Sequence, residues 1–324
     1  MVDTKVIYDR NFRIETSRLK ESLTKVKNRD IKLQGERFCA NLKNVNSMLI
    51  LPTQFLAIRN MERSIVFYET IARVLVTISQ NPEDDFQSQY RNQLEEIIKK
   101  EFDPQKEEIV KNAADGAIND FLKMLDDNYN GLRDTYEATL YSGTVWIWCS
   151  FEVLMKELWE YALNMGSGHT KNNIIKGLSS QEQFGDQIQG KYISLEYLAK
   201  YNYDISRNLG TVLKNKFDFT SCSGIRKAFS FAFPKNKDME QILSKEELSE
   251  LEATRNVIVH NAGIIDDAFC KRVVADATFL GQKLELSNRK VAEFSNNVID
   301  IGLFIMQVVS DDIKNEKGDI PQIK

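Results

Sequence analysis

The residues whose types and spacing suit chemistry lie between positions 252 and 263, in Glu-Ala-Thr-Arg-Asn-Val-Ile-Val-His-Asn-Ala-Gly. This stretch holds Arg255, Asn256 and His260, the last being one of only two histidines in 324 residues. An imidazole, with an ordinary pKa of about 6.5, takes or gives a proton near neutral pH. A guanidinium stays charged and forks onto phosphate oxygens as negative charge builds. The chemistry such a set suits is metal-free RNA cleavage, in which a ribose 2′-hydroxyl attacks its own phosphate. One histidine serves as base or as acid, whereas in-line transfer benefits from both. A two-fold dimer bringing two copies together would supply the second group.

These side chains need a helix to align them. Leu248, Leu251, Ile258 and Ala262 recur at helical spacing and predict an apolar stripe. Ser244 is placed to cap the start, with Glu247 completing a capping box, and Asn261 and Gly263 are placed to end it. At about 100° per residue, Arg255, Val259, Glu252, Asn256 and His260 span an arc of about 140° beside the stripe. Asn256 and His260, four apart, are within reach of each other, and Glu252 precedes Arg255 by three. A bland origin exists for each piece: the helix macrodipole favours a histidine in the last turn, and an arginine at a stripe's edge commonly pairs with an acid. A bare Arg-to-His spacing also recurs by chance.

Context raises the pattern. Arg255-Asn256-Val257-Ile258-Val259-His260-Asn261, on a late helix of a chain that reads as all-helical, resembles the signature of the HEPN superfamily. The resemblance runs from Thr135 to about Val309 and leaves the first 130 residues uncovered. It implies an all-α, HEPN-like helical bundle and a metal-independent endoribonuclease, usually dimeric. Many members of such families are toxins or phage-defence effectors, often restrained by an antitoxin. On that resemblance Arg255, His260 and Asn256 are the expected catalytic set, with Glu152, Glu252 and Asn261 supporting. Arg207, Arg226 and Lys227 are candidates to line an RNA groove. No metal and no cofactor is expected. A non-catalytic interaction or nucleotide-sensing protein of the same fold is the competing expectation.

Composition agrees with a helical, globular chain: 42% hydrophobic and 10% aromatic residues can fill a substantial core, while five prolines and 15 glycines are few. The net charge of −4 excludes a surface coated for nucleic acid, so any RNA contact must be local. Residues 1–43 reverse the balance, with 11 basic against six acidic side chains. No run reaches the roughly 20 uncharged apolar residues that cross a bilayer, since Glu152, Lys156, Glu157 and Glu160 break the richest one. The start lacks the apolar core of a signal peptide, and a cytoplasmic location is the expectation. Cys39, Cys149, Cys222 and Cys270 form no Cys-x-x-Cys pair, and neither His-Glu-x-x-His nor Gly-x-Ser-x-Gly occurs.

Three regions follow: an N-terminal helical region over 1–131 for dimerisation, regulation or partner binding, a HEPN-like domain over 132–314, and a polar tail over 315–324. Alternation over 6–14 suggests a strand or arm, and 16–26 a basic helix. Gly35 is read as an interruption and Pro52 as the first turn of a new helix. A loop over 81–85, a helix over 86–102 and another from Pro104 come next, and Asp-Asp-Asn-Tyr-Asn-Gly over 126–131 marks the boundary, with Pro104 as the alternative. A long helix over 135–165 carries Trp146, Trp148 and Trp159, with Glu152 needing a cation or donor amid hydrocarbon and available to orient Arg255. The glycines around His169 read as a loop that is not a phosphate cradle. Phe217, Phe219, Phe229, Phe231 and Phe233 read as core, and fraying is expected from Asp311.

Overall fold

The computed structural model describes residues 7–78, 107–179, 195–273 and 277–318. The loop read at 81–85, the helix read at 86–102 and the Pro104 helix start lie outside them. Helices are the regular secondary structure among the described residues, and β pairing there is confined to one isolated antiparallel bridge between Ile264 and Lys283. The chain is all-α, as its periodicity indicates. No described helix is long and apolar enough to cross a membrane.

Two compact units divide the chain, one made of Met1–Arg10 with Ser47–Glu137, the other of Asn11–Asn46 with Ala138–Lys324. Residues 11–46 therefore cluster with the chain after 138, although they precede the turn at 126–131. That turn itself forms as read: Asn128, Asn130 and Gly131 all take positive φ.

In the first unit, helix α1 (Thr16–Lys25) has no part, and the framework comes from helix α2 (Arg29–Ile78) beyond residue 46 and helix α3 (Glu107–Asp126). Phe121 meets Tyr8 and Tyr136 edge to face, 5.2 Å from each of their ring centroids. The Tyr136 hydroxyl donates to the Leu49 carbonyl at 3.4 Å. Burial of such a ring cluster supplies area as well as quadrupole-matched contacts.

Two punctuation readings fail in α2. The helix runs unbroken through Gly35 and Pro52. Gly35 is a packing residue: a Cβ there would stand 2.3 Å from Leu23 Cδ2 and 3.0 Å from Met306 Sδ. Pro52 leaves the Met48 carbonyl without its intrahelical donor, and the helix nevertheless continues past it to Ile78. Nor do residues 8–15 form a strand; their backbone is irregular, and Ile7, Tyr8 and Ile14 are buried.

In the second unit, α1 buries Leu19 and Leu23. It is tied to helix α12 (Asn288–Gly318) by Arg18 to Asp300 and by Asn296, which accepts from the Glu15 amide and donates to the Arg13 carbonyl. Between them in sequence come α4 (Leu132–Met165), α5 (Gly168–Ser179), α6 (Leu195–Ala199), α7 (Leu209–Leu213), α8 (Cys222–Ala232), α9 (Lys237–Leu243), α10 (Glu246–Asn261) and α11 (Asp267–Val273). Helix α4 is the central element. Trp148, Phe151, Met155, Leu158 and Trp159 along it are buried, whereas Trp146 is exposed. Trp159 donates to the Ala228 carbonyl on α8 and carries the Phe217 and Phe219 rings at 4.8 and 5.5 Å, so the phenylalanine cluster is core, as read. Gly302 lets α12 approach α4 at Leu154.

Other local expectations shift. His169 sits in the first turn of α5 and not in a loop. Helix α12 continues past Asp311 to Gly318, with Ile313 buried, so the tail does not fray from Asp311.

Candidate active site

The motif helix α10 begins after Lys245, with no side-chain cap. The expected capping box is absent because the preceding helix α9 uses Ser244 as its own C-cap, the hydroxyl donating to the Glu240 carbonyl. At the other end Ala262 takes the left-handed conformation (φ 51) and Gly263 follows at φ 83. The Ala262 amide reaches back to the Val257 carbonyl in a six-to-one bond, and the Gly263 amide joins the same carbonyl at 3.1 Å, so the left-handed residues close the helix end. Position 263 also needs glycine for space: a Cβ would lie 2.6 Å from Tyr141 Cε2 on α4. Tyr141 in turn donates to the Leu284 carbonyl, and the Leu284 amide donates to Gly263. The helix end that carries His260 is thus held by α4 and by the chain around 281–284.

Burial splits the polar strip. The buried face comprises Leu248, Leu251, Glu252, Ala253, Thr254 and Val257, while Ile258 is half-buried and Ala262 exposed. The expected stripe is therefore rotated toward Glu252. Only 7% of Glu252 is exposed. Its carboxylate accepts from the Cys222 amide at 3.1 Å, at the first residue of α8, and pairs with Arg272 of α11 at 3.3 Å. An anion at a helix N-terminus meets both orphan donors and the macrodipole. Glu252 therefore joins three helices and does not lie in an open strip. Burial, with the Glu252 charge second, pushes the neighbouring Cys222 thiol far up and keeps it protonated.

Arg255 is half-buried. Its Nη1 donates to Asn256 Oδ1 at 2.9 Å, and its Nε is buried without a partner. Such a donor costs about 1–3 kcal/mol if nothing meets it. Glu152 is close enough for the two charges to interact, as the sequence suggested. Trp148, one turn earlier on α4, donates Nε1 to Glu152 Oε1. Burial pushes the Glu152 carboxyl above its ordinary value, with Asp218 and Glu252 adding to the rise and Trp148 and Arg255 opposing it. Cys149, exposed on the same side of α4, also feels Arg255.

His260 is exposed, and no hydrogen bond or ion pair engages its ring among the described residues. The possible Asn256 to His260 contact is not made; Asn256 faces Arg255 instead. Asn261 donates to Asp266 Oδ2 at 2.6 Å, and Asp266 accepts the Phe269 amide at the start of α11, which makes Asn261 part of the turn.

The basic candidates divide. Arg226 is exposed, donates to Ser244 at 3.2 Å and lies one turn after Cys222, so it belongs to the Glu252 neighbourhood. Lys227 is half-buried beside it on α8. Arg207 stands exposed in the turns before α7, where its amide helps hold Asp204, and nothing brings it to the motif. Sequence reasoning missed Trp148, Arg272 and Asp218. The Trp148 to Glu152 bond was readable as an i to i+4 pair, whereas Arg272 and Asp218 come from distant segments with no spacing signal.

Among the described residues no group of three or more histidine, cysteine or acidic side chains is arranged to hold a metal ion. The arrangement offers a cation with an unmet donor, an amide attached to it, an accessible imidazole and a carboxyl with raised proton affinity. No protein-family model, curated protein or solved structure matches this chain.

Proposed function

We propose that the chain is a metal-independent endoribonuclease of the HEPN type, working as a two-fold dimer. The 2′-oxygen of RNA attacks the adjacent phosphorus and the 5′-oxygen of the next nucleotide leaves, producing a 2′,3′-cyclic phosphate. His260 exchanges the proton at one of these oxygens, and the copy across the two-fold axis serves the other. Arg255 neutralises the charge that accumulates on the phosphate, and Asn256 holds Arg255 in place. The observation that carries this reading is the pairing, on one helix, of an exposed imidazole with a guanidinium whose buried Nε lacks a partner. Nε itself is shut off from solvent, so a phosphate oxygen would approach this half-buried guanidinium through its Nη groups.

The dimer is supported by apolar side chains left exposed around the motif. Trp146 and Val153 are 40% and 54% exposed, lie on the face of α4 that carries Cys149, and Val259 on α10 is 47% exposed. A biological role as a toxin or defence effector, with a restraining partner protein in the cytoplasm, is part of the same proposal and rests on the motif's resemblance alone.

The competing reading, a non-catalytic helical interaction protein, is favoured by one observation: no side chain orients the His260 ring, and most catalytic imidazoles have such a partner. One experiment separates the two. Wild type, Arg255→Ala and His260→Ala are each incubated with RNA in EDTA, and fragments are examined for cyclic phosphate ends. Cleavage by wild type, reduced at least a hundredfold in both variants, supports the nuclease. Absence of cleavage, or cleavage that survives both substitutions, refutes it.

A further inference from the structure

Away from the motif, the second unit carries an open surface cleft of about 560 Å³, walled by the first turn of α5, the end of α8 and the start of α9, with His169, Lys235, Lys237 and Asp238 exposed along it. That volume falls within the range of small-molecule sites, about 300–1,000 Å³. Cys222, at the start of α8, touches Glu252 of the motif helix, whereas Ala232, ten residues on, lines the cleft. At 1.5 Å per residue the two lie about 15 Å apart. The cleft is therefore separate from Arg255 and His260.

Its lining is chemically uneven. His169, Lys235 and Lys237 contribute an imidazole and two ammonium groups, and none of the three has a hydrogen bond or ion pair among the described residues. Two acids face them. Asp312 is already engaged, accepting from the Ser167 amide at 3.0 Å, from the Ser167 hydroxyl at 2.9 Å and from Thr170 Oγ1 at 2.9 Å. Asp238 alone remains against the cations. The amides are partly committed too: Asn173 donates to the Ala232 carbonyl and Asn236 accepts the Met239 amide, which leaves Asn173 Oδ1 and Asn236 Nδ2 available. One wall is aromatic, since Phe233 lies nearly parallel to buried Phe229, 17° apart with centroids at 6.4 Å. Pro234 stiffens the backbone between that ring and Lys235.

We propose that this cleft binds a nucleoside monophosphate. Lys235, Lys237 and His169 take the phosphate as charge-assisted donors. Phe233 borders the flat base, and Asn173 and Asn236 offer an acceptor and a donor to its polar edge. A free carboxylate at Asp238 disfavours longer, more highly charged phosphates but tolerates a dianion beside three donors. The proposal does not depend on the nuclease reading.

The test uses the full chain carrying Arg255→Ala and His260→Ala, so that the motif cannot contribute. AMP, GMP, CMP and UMP are each titrated calorimetrically, together with the matching nucleosides and inorganic phosphate. At least one monophosphate is expected to saturate one site per chain, with its nucleoside and inorganic phosphate each binding at least tenfold more weakly. Adding Lys235→Ala and Lys237→Ala is expected to weaken that monophosphate at least tenfold. Both lysines are exposed, so the circular dichroism spectrum is expected to be unchanged. Binding by none of the four, binding indifferent to the lysine pair, or inorganic phosphate binding as tightly as the nucleotide would each overturn the assignment.

Discussion

Replacing Glu252 by alanine removes the carboxylate that joins α8, α10 and α11. The Cys222 amide then loses an ionised acceptor at 3.1 Å in a site where the residue is only 7% exposed. Hydrogen bonds to charged groups contribute about 1.5–3 kcal/mol, and the orphaned amide carries its desolvation cost with it. The Arg272 pair adds little, because the Arg272 side chain is 48% exposed and such pairs are worth about 0–1 kcal/mol. The expected loss for Glu252→Ala is about 3 kcal/mol. Glu252→Gln keeps a carbonyl oxygen for the Cys222 amide and gives up only the charge, at about 1 kcal/mol. Arg272→Ala is expected to cost less than about 1 kcal/mol. Urea unfolding followed by tryptophan fluorescence reads the second unit, which contains all three tryptophans. Should glutamine prove as damaging as alanine, or alanine cost under about 1 kcal/mol, the assignment of Glu252 as an anionic cap on α8 is wrong.

Gly263→Ala forces a side chain into φ 83 and to within 2.6 Å of the Tyr141 ring, so it is expected to cost at least about 1 kcal/mol and to loosen the last turn of α10. Hydrogen exchange of amides 257–265 measures this, and unchanged protection would contradict it. Glu152 binds its proton more tightly folded than unfolded, because burial raises its folded value above the ordinary 4.5. Its contribution is thus most favourable below that ordinary value and is lost as pH rises through the folded one. Glu152→Gln is expected to remove this part of the decline, and denaturation midpoints that follow the same pH profile in both proteins would rule it out.

Much of the architecture is legible in the sequence wherever the signal is local. Helix α1 and the motif helix follow from spacing, the turn before Gly131 from its asparagines and glycine, and the burial of Trp148 from the apolar run around it, although Trp146 in the same run is exposed. The failures share a cause, which is that the deciding partner is remote in sequence. Gly35 looks like a breaker until Leu23 and Met306 close on it. Ser244 fits a capping box, but the helix before it claims the hydroxyl. Glu252 sits at the correct angle for a polar strip, yet the donors that draw it inward lie 20 and 30 residues away, at Arg272 and Cys222. Glu152, an acid amid hydrocarbon, was expected to need a cation or a donor, and its direct partner is the Trp148 indole one turn away, with the Arg255 charge acting from farther off.

The second unit is assembled from two separated stretches, Asn11–Asn46 and the chain from Ala138 onward. This dictates where the polypeptide can be cut. A fragment starting at residue 132 would leave Asn296 without the Glu15 amide and the Arg13 carbonyl, and Asp300 without Arg18. Excising the motif together with a foldable scaffold requires a circular permutation or a linker joining residue 46 to residue 138, because no single uninterrupted truncation contains the whole unit and nothing else.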